Sequence, residues 1–515
     1  MDRKIKKDES NFKSFVIMIL DKKQKRRMIT LMNIVPLFEV LVKEILSAEE
    51  KFFENPRDFY SLENSVKTST EAFAAAFLGS VLSSMDEHIY NSSWRDCKYI
   101  VQRKDKRTLI SSLGDVTFDC TYYRGIGDHD GFAHILENLI GLERNEKFTE
   151  AAEVAILCEA VKTSYNEATK VLPSRQKITK TTVMNKIHGI AEEIPDVIYE
   201  ERKSVPYLFI EADEDHVAEQ HGRADDKYEN KSFQSKLVYI YEFKQETSVK
   251  GRYELVNKYY FGGLYPGKEG NKALWEKVAR FIDTNYDYDS LRKVFISGDG
   301  AAWIKSGTSV IDKSVFCADK YHLMQYINAA AGQMLDEKEM AKENLWHILN
   351  SKKGQARNRF DEYTKEMLAA AKNPDRVEQL RAYVLGNWSA VRRTLRNKLV
   401  MGCSAESHIS HVLSDRLSSR PMGWSQTGAD RMSKLRCFER NNGRAKILDL
   451  VKYSRNQRRL AATGTENMVP HKFSMKEIMK DHYNQARSYI DRIQAEVMGG
   501  TAKKIISIRE GLNLL

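Results

Sequence analysis

Residues 207–220 read YLFIEADEDHVAEQ, an apolar run that ends in five carboxylates: Glu211, Asp213, Glu214, Asp215 and Glu219. Strand-like alternation puts Phe209, Glu211, Asp213 and Asp215 on one face. A carboxylate on the packed side of a sheet is costly unless its charge is compensated, so the pattern predicts a bound cation. The plainer alternative is that the apolar run ends at Ile210 and the acidic residues form a solvated loop. The chain downstream bears on the choice. KLVYIYEF (236–243) and RYELVNKYYF (252–261) read as two more strands at short spacing. NKALWEKVARFI (271–282) reads as a helix with Leu274, Val278 and Ile282 on one stripe. VFISGDGAAWI (294–304) supplies a strand, a glycine-flanked Asp299 and a helix start, and KSVFCADKYHLMQYI (313–327) a last strand entering a helix.

Three meandering strands followed by helix, strand, helix and strand is the order of a ribonuclease-H-like mixed α/β sheet. The sequence therefore divides as follows. Residues 205–327 form the first part of that core, 328–400 a charged helical insertion, and 401–440 the end of the core. Residues 441–515 read as a basic C-terminal tail. Upstream, 1–92 is a helical region, in which LFEVLVKEILSAEEKFF and EAFAAAFLGSVLSSM space apolar residues three and four apart. Residues 93–204 combine a hairpin, RTLISSLGDVTFDCTYYR (107–124), with two short helices around Pro173. The second of these begins after Ile178, with Thr179 as N-cap. It carries Lys180, Thr181, Thr182, Asn185 and Lys186, the polar side chains that a helix-turn-helix places in a major groove; an ordinary helical hairpin with a solvated face is the alternative.

Composition narrows the class. The 515 residues, 42% hydrophobic and 30% charged, are enough for more than one buried core. Of the formal net charge of +11, nine units fall in residues 401–515, which hold twenty Lys and Arg against eleven Asp and Glu. A polyanionic partner is expected there. The six cysteines are scattered without the spacing of a zinc or redox motif, which predicts a reducing, cytoplasmic setting. No stretch approaches the ~20 apolar residues of a membrane span.

Two further carboxylates join those of 207–220. Asp299 lies at the carboxyl end of its strand, where α/β sheets hold ligands, although Asp-Gly is also an ordinary turn dipeptide. Glu406, in GCSAESHISHVLSDRL, shares a helical face with Ile409 and Leu413 and is expected to point inward; its place in a first helical turn is the bland explanation. Mg²⁺ prefers carboxylate and water, and two such ions about 4 Å apart activate an oxygen nucleophile, stabilise the leaving oxygen and neutralise a phosphodiester.

IEADEDHVAEQ, ISGDGAAWIKSG, CADKYHLMQYI and GCSAESHISHVLSDRLSSRPMGWSQTGADRMSKLR resemble the successive blocks of bacterial insertion-sequence transposases of the ISLre type, DDE transposases related to the Mutator-like superfamily. The resemblance covers roughly residues 93–460. It implies that Asp213, Asp299 and Glu406 form the acidic triad, with Asp215 a competing metal ligand, and that His322 of the Asp319-Lys-Tyr-His block orients a ligand or contacts the scissile phosphate, a core histidine at a helix start being the alternative. It also implies Mg²⁺ or Mn²⁺, two ions, as cofactor. The partners implied are double-stranded DNA of the element ends and of the target, with a homo-oligomer in the synaptic complex, no membrane, and a cytoplasmic, nucleoid-associated location. Arg416, Arg420, Arg431, Lys434 and Arg436, downstream of Glu406, are candidates for gripping the phosphate backbone; a solvated basic helix face is the alternative. The expected activity is metal-dependent cleavage and strand transfer of an insertion sequence. The rivals are a non-catalytic DNA-binding derivative and a ribonuclease-H-like nuclease that does not transfer strands.

Overall fold

The computed structural model describes residues 34–463, apart from 93–94, 96–97, 128–130, 144, 221–230, 353 and 421. The expected N-terminal region before residue 34 and the tail beyond 463 therefore lie outside the described residues. The chain divides into two compact units, residues 1–156, 169–178 and 455–515 in one and 157–168 and 179–454 in the other.

In the first unit, helices α1 (Ile34–Glu54) and α2 (Phe59–Tyr90) precede a hairpin of β1 (Tyr99–Ser111) and β2 (Gly114–Gly125), with β3 (Phe132–Ala133) added at the edge. The turn falls on the Leu-Gly-Asp segment, where Gly114 takes φ +119° and Ser111 Oγ donates to its carbonyl at 2.8 Å. Ala75 and Ile89 of α2 bury against Leu109, Val116 and Phe118 of the hairpin. Asp86 of α2 is fully buried and accepts from Thr121 N (2.9 Å) and Oγ1 (2.6 Å), which ties helix to strand. The short helix α3 (Ile135–Ile140) follows, and within α4 (Glu150–Ala160) the chain passes into the second unit after Ile156.

In the second unit, α5 (Tyr165–Ala168) has four residues, and α6 (Lys180–His188) is capped as the sequence implies: Thr179 accepts from Thr182 N at 3.2 Å. The central sheet has five strands: β4 (Tyr207–Ala218), β5 (Ser232–Tyr241), β8 (Tyr259–Gly263), β9 (Lys293–Gly298) and β10 (Ser314–Ala318). Their order is β10-β9-β4-β5-β8; β4, β9 and β10 run parallel, and β5 is antiparallel to both β4 and β8. The run at 252–261 is not one strand. Asn257 (φ +53°) breaks it, so β7 (Tyr253–Val256) pairs with β6 (Phe243–Glu246) in a separate ribbon and only β8 joins the sheet.

Alternation in β4 separates two environments. Leu208, Ile210 and Ala212 enter an apolar core with Val238, Ile240, Val294 and Ile296, covered by Leu274, Trp275 and Val278 of α7 (Gly267–Asn285). The other face carries Glu211, Asp213 and Asp215. Burying the first set removes several large side chains from water, each worth ~1.5–3 kcal/mol, and so fixes which face the carboxylates take. After β9 come α8 (Ala302–Ser306), β10 and α9 (Lys320–Ala331). Helices α10 (Lys338–Asn350), α11 (Ala356–Ala370), α12 (Pro374–Gly386) and α13 (Trp388–Arg396) then build a second apolar cluster around Leu345, Phe360, Leu380 and Val391. The chain returns to the sheet through α14 (Ala405–Ile409), a π-helical turn at Ser410–Ser414, α15 (Asp415–Leu417) and α16 (Gln426–Asn442). Residues 441–463 are not a tail: α17 (Ile447–Thr463) buries Ile447, Leu450 and Val451. Among the described residues no helix is long and apolar enough to cross a membrane.

Candidate active site

The site grows from the carboxyl end of β9 and from the point on the neighbouring parallel strand β4 where the pairing of the two stops. β4 carries Asp213 past its pairing with β9, whose register with β4 ends at Glu211↔Ser297, and Asp299 follows β9 by one residue. Gly298 lets the two strand ends approach: a Cβ there would lie 2.8 Å from the Ala212 carbonyl oxygen. Gly300, at φ +101°, then turns the chain, and Asp299 Oδ1 accepts from Ala301 N at 2.8 Å.

Two helix starts complete the group. Asp319 caps α9 by accepting from Tyr321 N at 2.8 Å, and its own N–H donates to Gly298 O at 2.9 Å, which fastens the helix to the end of β9. His322 lies in the first turn of α9, Nε2 3.7 Å from Asp319 Oδ2. Glu406 lies in the first turn of α14. Asp213, His322 and Glu406 each offer a ligand atom, all within 4.8 Å of one another. Asp299 is outside that tight set, yet its charge acts on Asp213. Burial pushes the Asp213 carboxyl up to about 7; the charges of Asp299 and Glu406 raise it, while the Glu214 amide and His322 lower it. Carboxylates that repel one another where two strands stop pairing are a site that a hard divalent cation relieves, and their oxygens suit Mg²⁺ and Mn²⁺ alike. The residues present therefore fit such an ion.

Two details correct the reading from sequence. Glu406 is exposed, because the buried stripe of this segment runs through Ala405, Ile409, Val412 and Leu413 and leaves Glu406 one position round the helix, at the rim. Asp215 is not in a loop. β4 pairs with β5 as far as Ala218↔Ser232, so Asp215 is buried one pleat beyond Asp213, where its Oδ1 accepts from Ser418 Oγ at 2.8 Å. It stands outside the group formed by Asp213, His322 and Glu406.

The basic candidates separate by burial. Arg416 and Arg436 are 3% and 7% exposed and cannot grip a ligand backbone. Arg416 Nε donates to Ala160 O at 2.9 Å, and its guanidinium lies 4.7 Å from the Trp424 ring centroid. Arg436 donates to the carbonyls of Val412, Val161 (2.6 Å) and His411 (2.8 Å). Arg431 and Lys434 both pair with Asp430, and Lys434 Nζ also reaches Glu192 O at 2.9 Å. Arg420 remains exposed and lines a cavity of about 680 Å³ with Lys162, Arg440 and Arg444. On α6, Lys180, Thr181 and Asn185 are exposed and Lys186 is half-buried; the hydroxyl of Thr182 lies 3.0 Å from that of Thr179.

Glu211 shares the carboxylate face of β4, and nothing in its local sequence marks a role for it. It is buried and accepts from Tyr239, Tyr241, Lys244 and Ser404. Burial pushes its carboxyl up, but Lys244 and the two tyrosine hydroxyls outweigh this and hold it below its ordinary value. The alternating tyrosines of KLVYIYEF were the visible signal. In the other unit, Cys120, His134 and Glu137 also lie within 4.8 Å of one another, with the Glu137 charge already met by Arg107 at 2.5 Å.

The chain belongs to UPF0236, described as an uncharacterised protein family, whose model matches residues 53–453. A UPF0236 protein of Caldanaerobacter subterraneus subsp. tengcongensis is 32% identical over 404 residues, spanning 78% of this chain and 82% of the relative; its name joins eleven locus designations. A UPF0236 protein in the vanSb 3′ region of Streptococcus gallolyticus is 21% identical over 421 residues, spanning 78% and 85%. Among solved structures, the Drosophila P element transposase strand transfer complex matches 70% of this chain and 95% of its own at 12% identity, with a TM-score of 0.21, too low to carry an argument.

Proposed function

We propose that this chain is a DDE transposase of the ISLre type, which binds the terminal inverted repeats of an insertion sequence and cuts and joins DNA strands. The observation that carries the reading is the convergence of Asp213, His322 and Glu406 from distant parts of the sequence, with the charge of Asp299 acting on the same carboxyl. The strand order β10-β9-β4-β5-β8, with Asp299 just past the end of β9 and Asp213 just past the point where β4 stops pairing with β9, supports a ribonuclease-H-like core. Eleven locus designations for one relative accord with a gene that multiplies within a genome.

Asp213, Asp299 and Glu406 would hold Mg²⁺ or Mn²⁺, with His322 as a further donor. The cation supplies Lewis acidity to a phosphodiester oxygen and offsets its negative charge. Asp213 would hold the cation as a carboxylate, and Glu406, at the rim, would face incoming DNA. Asp319 orients the His322 ring. In the first reaction water adds to phosphorus, the bond to O3′ breaks, and a 3′-hydroxyl is left. In the second, that hydroxyl attacks a target phosphodiester in line and displaces a new 3′-oxygen. The exposed Lys180, Thr181 and Asn185 of α6 serve the DNA contact, with Arg420 a backbone contact.

The test is Mg²⁺- or Mn²⁺-dependent nicking of a duplex carrying the element's own ends. Asp299→Ala and Glu406→Ala should each abolish nicking while DNA binding persists. A wild type that binds but never cuts favours the non-catalytic derivative. Nicking without joining in a strand-transfer assay favours the nuclease.

A further inference from the structure

Glu211 occupies the position on β4 two residues before Asp213, on the same face of the strand, with its side chain 1% exposed. A buried carboxylate is a poor way to stabilise a fold, since apolar residues of similar volume commonly do as well or better. What distinguishes this one is where its donors come from. Oε2 accepts from Ser404 N at 2.6 Å, from Ser404 Oγ at 3.0 Å and from the hydroxyl of Tyr239, its cross-strand partner on β5. Oε1 accepts from Tyr241 Oη at 2.6 Å and from Lys244 Nζ at 3.1 Å. Lys244 Nζ in turn donates to Gly402 O at 2.9 Å. The segment 402–404 is thus held at two points, and it leads directly into α14, whose second residue is Glu406. The ring of His408, two residues further on, packs on Tyr239 with centroids 4.4 Å apart, and its Nδ1 lies 2.8 Å from Tyr260 Oη.

We propose that Glu211 is a positioning residue: it clamps the chain entering α14 to β4 and so sets the distance between Glu406 and Asp213. This rests on the metal-site reading above. The backbone from Gly402, at φ +101°, to the start of α14 has no regular structure of its own, and the side chain of Glu406 is exposed and makes no hydrogen bond among the described residues. Two ligands carried 193 positions apart in sequence need a rigid link at the site, and a buried charge with five donors from three segments is such a link. Replacing the carboxylate by an amide removes the charge that Lys244 answers and turns one acceptor into a donor facing other donors. The chain at 402–404 is then released while β4 keeps its apolar face.

Mn²⁺ binding by the metal-free full chain, followed through the electron paramagnetic resonance signal of the free ion, tests the clamp without relying on cleavage. Wild type, Glu211→Gln, Glu406→Ala and the double variant are compared. Glu211→Gln should raise the Mn²⁺ dissociation constant by about tenfold, the low end of what outer-sphere partners of metal ligands contribute. The double variant should bind as Glu406→Ala does, because a residue acting only through Glu406 has nothing left to position. Tyr239→Phe, which removes one hydroxyl from the same network, should weaken binding in the same direction and serves if Glu211→Gln does not fold. Unchanged Mn²⁺ affinity in the folded variants, or losses that add in the double variant, overturn the clamp and leave the metal site standing. A wild type that binds no Mn²⁺ overturns both.

Discussion

A carboxyl pushed up to about 7 by burial and by the charges of Asp299 and Glu406 holds its proton more tightly in the folded chain than in the unfolded one. With no divalent cation present, Asp213 therefore contributes stability that is fully present below its ordinary value of 3.8 and is lost as pH rises through about 7. The loss is at most on the order of a few kcal/mol, since Asp213 is only partly buried. Urea unfolding in EDTA at pH 4 to 8 should show wild type falling relative to Asp213→Asn over that interval, and Mn²⁺ should restore wild type above pH 7. Equal pH dependence of the two proteins would contradict the placement of Asp213 among its like charges. Arg436 makes a contrasting case. Its guanidinium serves three backbone carbonyls inside the fold, so Arg436→Ala should cost about 3 kcal/mol in urea unfolding by leaving buried acceptors without donors.

At the level of elements, the place where β4 and β9 stop pairing fixes the spacing of the acidic residues, and Gly298 is the point of closest approach. A methyl group at 298 would meet the Ala212 carbonyl oxygen at 2.8 Å and Ile304 Cδ1 at 2.7 Å, so something must shift. Gly298→Ala should destabilise the chain by about 1–3 kcal/mol and weaken Mn²⁺ binding by displacing Asp299, both measurable on one preparation by urea unfolding and ion titration. The strands themselves were legible, because β-branched and aromatic runs bounded by turn residues mark YLFIEAD, KLVYIYEF and VFIS whatever surrounds them. So was the cap at Thr179, a local matter of one hydroxyl and one N–H. What was not legible depends on partners far away in sequence. β4 continues through its acidic residues because β5 pairs with them as far as Ala218. Glu406 turns to the rim because Ala405, Ile409 and Val412 fill the interior, a choice set by what they pack against. An arginine that binds a polyanion and one that binds the protein's own carbonyls read alike, and only the fold distinguished Arg420 from Arg416 and Arg436.

Across the molecule, that distinction changes how the net charge of +11 bears on DNA. If the whole basic C-terminal fifth were surface, binding would fall very steeply with salt, because each phosphate neutralised releases a condensed counterion. Within residues 401–463, however, Arg416 and Arg436 are spent on internal carbonyls, and Arg431 and Lys434 face Asp430. The exposed charges that remain include Arg420, beside Lys162, Arg440 and Arg444, and Lys180 on α6. The two classes make opposite predictions for one measurement. Fluorescence anisotropy of a duplex carrying the element's ends, over a series of salt concentrations, gives the slope of log affinity against log salt. Arg420→Ala and Lys180→Ala should each make that slope shallower by about 0.9 when the lost contact is to a phosphate of duplex DNA. Arg436→Ala, in the fraction that remains folded, should leave the slope where it was. A shallower slope for Arg436→Ala, with none for Arg420→Ala, would mean that DNA approaches a face other than the one these exposed cations define.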